Sequence, residues 1–228
     1  MKYHVSFDLE LRRNPYKGLY IAVEGIDGSG KTTQVKEISS YFRKNKKEAE
    51  QTREPRKEGI IGNIVQRVLT GKLKMPSVAL QYLFSTDRVL HHNDVIIPAL
   101  KSGKIVVSDR CFWSAIPYGI LDRMKDKKEE KYSFDMGEVI LVGQSILSMY
   151  HQFTVPDYTF FLNVSVDTGI KRIEKKTEKK ELYEKRDQLE MINLGYKWLV
   201  KKFPKEITVI DGEKGKEEVT KEIIKKLT

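Results

Sequence analysis

Apolar residues follow two rhythms along this chain. Short continuous runs, Leu19-Tyr20-Ile21-Ala22-Val23, Ile105-Val106-Val107 and Phe160-Phe161-Leu162, have the length and the β-branched or aromatic content of strands covered on both faces. Between them apolar positions recur every three or four residues, as with Val78, Leu80, Leu83 and Phe84 in the stretch from Pro76 to Leu100, which Gly103 closes. With the weaker runs included, the pattern predicts strands at Leu19 to Glu24, Glu48 to Arg53, Lys104 to Ser108, Tyr158 to Val164 and Ile207 to Ile210, alternating with helices. One long helix is expected from Pro76 to Leu100, and another charged helical region from Lys171 to Lys202. Strands buried on both faces need crossover helices, so the sheet should be largely parallel, five-stranded and doubly wound, with ligands at the carboxyl ends of its strands.

At 228 residues the chain suits one well-buried domain, 19–228, preceded by an extension, 1–18. Val5, Phe7, Leu9 and Leu11 alternate with polar residues there, which predicts an edge strand or a subunit contact. No apolar stretch approaches the ~18 residues of a membrane span, and the first residues lack the apolar core of a signal peptide. A soluble, cytoplasmic protein is expected. The single cysteine, Cys111, fits a reducing compartment and excludes an internal disulfide or a thiolate zinc site. Lys plus Arg exceed Asp plus Glu by 42 to 32, a balance that favours anionic partners without choosing between nucleotides and nucleic acid.

The choice comes from Gly25-Ile26-Asp27-Gly28-Ser29-Gly30-Lys31-Thr32, directly behind the first strand and ahead of the helix-compatible Thr33-Gln34-Val35-Lys36. This is G-x-x-x-x-G-K-[S/T] in the strand-loop-helix setting that aims backbone N–H groups and a helix N-terminus at one phosphate chain. The glycines permit positive φ and place no Cβ against the ligand. Lys31 supplies a point charge to the β- and γ-phosphates, and Thr32 a hydroxyl to Mg²⁺. A dinucleotide loop begun at Gly28 would need glycine where Thr33 stands. The fold class is therefore α/β of the P-loop NTPase type.

Ser108-Asp109-Arg110 ends the third predicted strand and delivers a carboxylate and a guanidinium to the same rim. Asp109 can organise Mg²⁺ and its waters, and Arg110 can fork onto a second phosphate. Joined to Val23-Glu24 ahead of the loop, to Thr52-Arg53-Glu54-Pro55 and to Leu83-Phe84-Ser85-Thr86-Asp87-Arg88, these motifs in this order resemble the thymidylate kinases. The similarity runs from about Leu19 to the C-terminus and includes Pro156-Asp157 and Val209-Ile210-Asp211-Gly212.

The resemblance implies residue roles. Arg53 and Arg110 would hold the acceptor's 5′-phosphate, with Glu54 and Pro55 beside them. Asp27 would sit near the acceptor sugar and the metal. Phe84 and Arg88 would stack on and hydrogen-bond the pyrimidine, and Ser114 and Tyr118 would complete the acceptor site, Tyr118 against the deoxyribose. Residues 25–33, from Gly25 and Ile26 through Ser29 and Gly30 to Thr33, would bind ATP, with Thr32 and Asp109 at the metal. Lys31, Arg110, Asp109, Asp27 and Arg172 form the expected catalytic set. His91 and His92 read as ordinary helix residues, and Cys111 as packing.

Three departures from the family pattern stand out. Ala115 and Gly119 replace polar residues used near the base, so base selectivity should be reduced or achieved differently. Arg56-Lys57-Glu58 replaces a glycine pair. The expected lid, 174–186, has lysines in its centre, with Arg172 and Arg186 flanking it; these arginines, or Lys175, Lys176, Lys179 and Lys180, would neutralise the transferring group.

The expected reaction is transfer of the γ-phosphoryl of Mg·ATP to dTMP by a homodimer, without a membrane or nucleic acid as partner. Alternatives are a kinase for dUMP or a broader set of deoxynucleoside monophosphates, a deoxynucleoside kinase with Glu24 or Asp27 as base, and a nucleic-acid-binding ATPase.

Overall fold

The apolar runs form β1 (Tyr20–Glu24), β2 (Ala49–Arg53), β3 (Ile105–Asp109), β4 (Tyr158–Asn163) and β5 (Ile207–Asp211). The computed structural model describes residues 10–126, 143, 146, 153–175 and 182–228. All strand pairs are parallel, in the order β2-β3-β1-β4-β5. Burial follows that order. Every residue of β1 and β3 is buried, whereas Glu50 to Arg53 of β2 and Thr208, Val209 and Asp211 of β5 reach the surface at the two edges.

Side chains alternate between two cores, as the pleat requires. Ile21, Val23, Val107 and Phe160 pack with Val35, Ile38 and Phe42 of α1 (Lys31–Lys44). The opposite face, with Tyr20, Ala22, Val106 and Phe161, is covered by α2 (Gly59–Leu69), α3 (Ser77–His91), α4 (Ile97–Lys101) and α5 (Ala115–Asp126). Beyond β4 lie α6 (Val166–Glu174), α7 (Arg186–Lys202) and α8 (Lys216–Leu227), of which α8 packs beside α1. This is the doubly wound parallel α/β sheet that the sequence predicts, and each strand agrees with its expected bounds within a residue.

The helices need two corrections. The segment from Pro76 is not one regular helix: a π-turn, His92–Ile96, separates α3 from α4, with Ile97 donating to the His92 carbonyl. Pro98 explains it, because its ring would press on the Asp94 carbonyl of a regular α-helix and the wider turn relieves that contact. The expected Lys171 to Lys202 region is two helices, α6 and α7. Lys176, Lys179 and Lys180 lie outside the described residues.

Val5, Phe7 and Leu9 of the expected edge strand also lie outside the described residues. The described part of the extension makes a single bridge between Arg12 and Thr154. Asn14 then donates to the Gly18 carbonyl and the Asp157 carboxylate, leading the chain into β1. No helix of the described residues is long and apolar enough to cross a membrane.

Candidate active site

The carboxyl ends of β1, β2 and β3 converge because these strands pair in register, with Val23 and Arg53 both opposite Asp109. From β1 the chain turns through Gly25, Gly28 and Gly30, all at positive φ. Gly28 is also required by contact: a Cβ there would lie 2.2 Å from the Gly169 carbonyl oxygen of α6. Gly30 is the N-cap of α1 and offers no side-chain cap, which leaves the first-turn N–H groups for a ligand.

Lys31 opens α1. Its Nζ donates to the Ile26 carbonyl at 2.9 Å and lies 3.6 Å from the Asp27 carboxylate. Burial, reinforced by the nearby Arg110 charge, lowers its pKa to about 8. Thr32 Oγ1 donates to Asp109 Oδ2 at 2.5 Å, bringing the two expected metal residues together. Hard oxygen donors of this kind suit Mg²⁺. Among the described residues no group of three or more His, Cys, Asp or Glu side chains forms a metal cage, so phosphate oxygens and water would complete the coordination.

Two cavities flank this loop. One, open to solvent, is lined by Gly28, Ser29, Gly30 and Thr33 on one side and by residues 212–216 on the other, with Arg172 and Lys175 between. Arg172 donates to the Ser29 and Gly212 carbonyls, fastening the loop to the end of β5. Arg186 pairs with Asp167 at the surface and lines neither cavity.

The second cavity is lined by every one of the expected acceptor residues: Asp27, Arg53, Glu54, Pro55, Phe84, Arg88, Arg110, Ser114 and Tyr118. Arg110 is its centre. The residue sits at φ 75°, a left-handed conformation uncommon outside glycine, and its N–H is held by the Val23 carbonyl at 2.9 Å. One terminal nitrogen donates to the Gly25 carbonyl, Ser114 Oγ and Tyr196 OH; the other donates to Asp27 Oδ1 at 2.6 Å and Tyr118 OH at 2.7 Å. Burial raises the Asp27 carboxyl, but Arg110 and Lys31 outweigh it and hold its pKa at about 2. Arg53, by contrast, is exposed at the rim.

Glu24, weighed as a base in one alternative, is occupied elsewhere. It is 1% exposed and accepts from the Cys111 N–H, Ser114 Oγ and Tyr196 OH. Glu54 is as deeply buried. It receives Arg88 Nε at 2.7 Å and contacts His91 Nδ1 at 3.1 Å, while His91 Nε2 meets Thr52 Oγ1. Burial would raise the Glu54 carboxyl; the hydrogen bond with His91 and the Arg88 charge more than offset that and lower its pKa to about 2.

His91 and His92 are therefore not ordinary helix residues. His91 is fully buried in this network, and His92 packs against Tyr20 and Phe153, its pKa lowered by burial to about 4. Arg56, at the replaced glycine pair, is likewise structural, since it pairs with the buried Asp87 at 2.9 Å.

The sequence model described as thymidylate kinase matches residues 23–134 and 137–223. The chain belongs to the thymidylate kinase family. A thymidylate kinase from Clostridium novyi is 31% identical over 217 residues, covering 91% of this chain and 97% of that one. One from Kosmotoga olearia is 32% identical over 209 residues, covering 91% and 94%. A probable thymidylate kinase from Methanocaldococcus jannaschii is 32% identical over 208 residues, covering 90% and 94%. The structure of the Candida albicans thymidylate kinase matches with a TM-score of 0.76 at 22% identity over 92% of this chain and 91% of that one, a likeness of fold.

Sequence reasoning missed His91, Tyr196, Gln81, Asp122 and Tyr183, all of which reach the second cavity or the side chains that line it. Tyr196 carried a usable signal: it lies on the apolar stripe of α7 that also buries Leu189, Ile192 and Leu199.

Proposed function

We propose that this enzyme transfers the γ-phosphoryl group of ATP to the 5′-phosphate of dTMP, giving dTDP and ADP. The observation that carries the reading is the second cavity: two arginines, Arg53 and Arg110, line it beside a phosphate-binding loop that also borders the first. An acceptor with a phosphate tail answers that charge; a nucleoside hydroxyl does not. A nucleoside kinase would also need a free carboxylate base, yet Glu24 is saturated and buried, and Asp27 is held far below the range of a useful base.

A phosphate monoester has a second pKa near ~6, so at neutral pH the nucleophilic oxygen is already ionised and no proton need be removed. The work is to bring two polyanions into line and cancel their repulsion. The loop N–H groups and Lys31 hold the donor phosphates, and Arg53 and Arg110 hold the acceptor phosphate, which would replace Asp27 on the outer Arg110 nitrogen. Asp27, thus released, faces the acceptor sugar with Tyr118. Thr32 and Asp109 would hold Mg²⁺, which would supply charge neutralisation to the donor phosphates. Arg172 acts from its seat on the Ser29 carbonyl by fixing the loop. Phe84 and Arg88 take the base.

The reading extends to assembly and location. α3 exposes Val78 (52%), Tyr82 (63%) and Val89 (46%) along one stripe, and α2 exposes Ile60 (81%), an apolar surface suited to a second copy of the chain. The buried free thiol of Cys111 suits a reducing cytoplasm.

A coupled ADP-release assay across dTMP, dUMP, dCMP, dGMP, UMP and thymidine tests the reaction, with dTMP expected as the best acceptor. Arg53→Ala, at an exposed position, should raise the dTMP KM about 10- to 100-fold, the value of a charge-assisted hydrogen bond, and leave the ATP KM unchanged. Faster turnover of thymidine than of dTMP would sink the reading.

A further inference from the structure

Resting on the kinase reading above, we infer that Gln81 is the residue that selects the base, presenting its side-chain carbonyl as an acceptor to the N3–H of thymine. Gln81 lines the second cavity and stands on α3 three and seven residues before Phe84 and Arg88, so the three share one helix face. Across the cavity Ala115 contributes only a methyl group.

The orientation of the Gln81 amide follows from its neighbours. Its Nε2 donates to Asp122 Oδ2 at 2.9 Å, and the same oxygen accepts from Tyr183 OH at 2.9 Å. Asp122 is 3% exposed. A carboxylate only accepts, so the amide must turn its NH₂ toward Asp122 and its carbonyl away. Burial and the neighbouring Asp122 raise the Tyr183 hydroxyl well above its ordinary pKa, which keeps it a phenol and a donor. Gln81 Oε1 is left buried with no hydrogen-bond partner among the described residues. A buried acceptor without a donor is costly and calls for one from a ligand.

Among pyrimidines, thymine and uracil carry N–H at N3 beside a carbonyl at C4, whereas cytosine carries an acceptor at N3 beside an amino group. An acceptor from Gln81 next to a donor-only Arg88 matches the first pattern at both atoms and opposes the second at both. Asp122 thus acts as a positioning residue: it fixes which end of the amide meets the base. This also accounts for how a cavity with only Ala115 at that position of its wall can still favour thymine or uracil over cytosine.

The test is the ratio of kcat/KM for dTMP to that for dCMP, measured with ATP KM as control. Gln81→Met keeps the volume and removes the acceptor, and should lower the ratio about tenfold through the dTMP arm with the ATP KM unchanged. Asp122→Asn lets the amide reverse and should raise kcat/KM for dCMP severalfold. An active wild-type enzyme whose ratio is unaltered in both variants overturns the inference alone. A wild-type enzyme inactive on every nucleoside monophosphate overturns the kinase reading with it. Should Gln81→Met fail to fold, judged by its melting transition, Asp122→Asn decides by the same ratio.

Discussion

Replacing Glu54 by Gln preserves shape and removes one buried charge, and the structure gives the size and the pH dependence of the loss. Glu54 is 1% exposed and its carboxylate is shared between Arg88 and His91. Burial raises its pKa, but those partners outweigh burial, so that it falls from the usual 4.5 to about 2. Because the folded value is the lower one, the unfolded chain binds the proton more readily. The stabilisation is therefore complete above about pH 4.5 and drains away as pH falls toward 2. Integrated, it amounts to about 3 kcal/mol at pH 7 and about 1 kcal/mol at pH 3. Urea unfolding followed by tryptophan fluorescence measures it, Trp113 being fully buried. Glu54→Gln should be less stable than wild type at pH 7 by roughly 3 kcal/mol, since Arg88 also loses its counter-ion, and the gap should narrow by about 2 kcal/mol at pH 3. A gap that stays constant between the two pH values would refute the argument, because it would mean that Glu54 is not held ionised by its partners.

Two further outcomes follow from the loop and from the surface. With its pKa lowered to about 8, Lys31 is a cation at pH 7 and mostly neutral at pH 9; ATP affinity measured by calorimetry should fall up to about tenfold over that interval, and Lys31→Met should bind weakly at both pH values. An ATP affinity that does not change from pH 7 to pH 9 would remove Lys31 from the phosphate site. Tyr82→Asp combined with Val89→Lys should convert a dimer to a monomer in light scattering, with the melting transition of the isolated chain little changed since both side chains are exposed; a wild-type chain that is monomeric at micromolar concentration would dispose of the proposed contact.

The residues around the glycine loop were far more legible in the sequence than those of the proposed base end, and the reason is physical. A phosphate chain is held by backbone, so the requirement is written locally: glycines that can take positive φ, a lysine at the first turn of α1, and an aspartate and arginine at the end of β3. The central strands were equally legible, because a strand covered on both faces of a parallel sheet can hardly be polar. The base end is assembled from side chains that meet only in space. Glu54 meets Arg88 and His91 across 34 and 37 residues, and Gln81 meets Asp122 across 41. His91 was misread for that reason: on a helix of mixed character a histidine passes for a solvated residue until its buried carboxylate partner arrives from another element. Arg172 shows the same limit from the other side. A catalytic role flanking the lid was expected for it, but its guanidinium donates to two backbone carbonyls, a use that no motif encodes. It follows that the two ends can vary independently. On the proposed reading a change at Gln81 or Asp122 would alter which base is accepted without touching Lys31, Arg53 or Arg110, whereas a Cβ at Gly28 meets the Gly169 carbonyl and disturbs the loop itself.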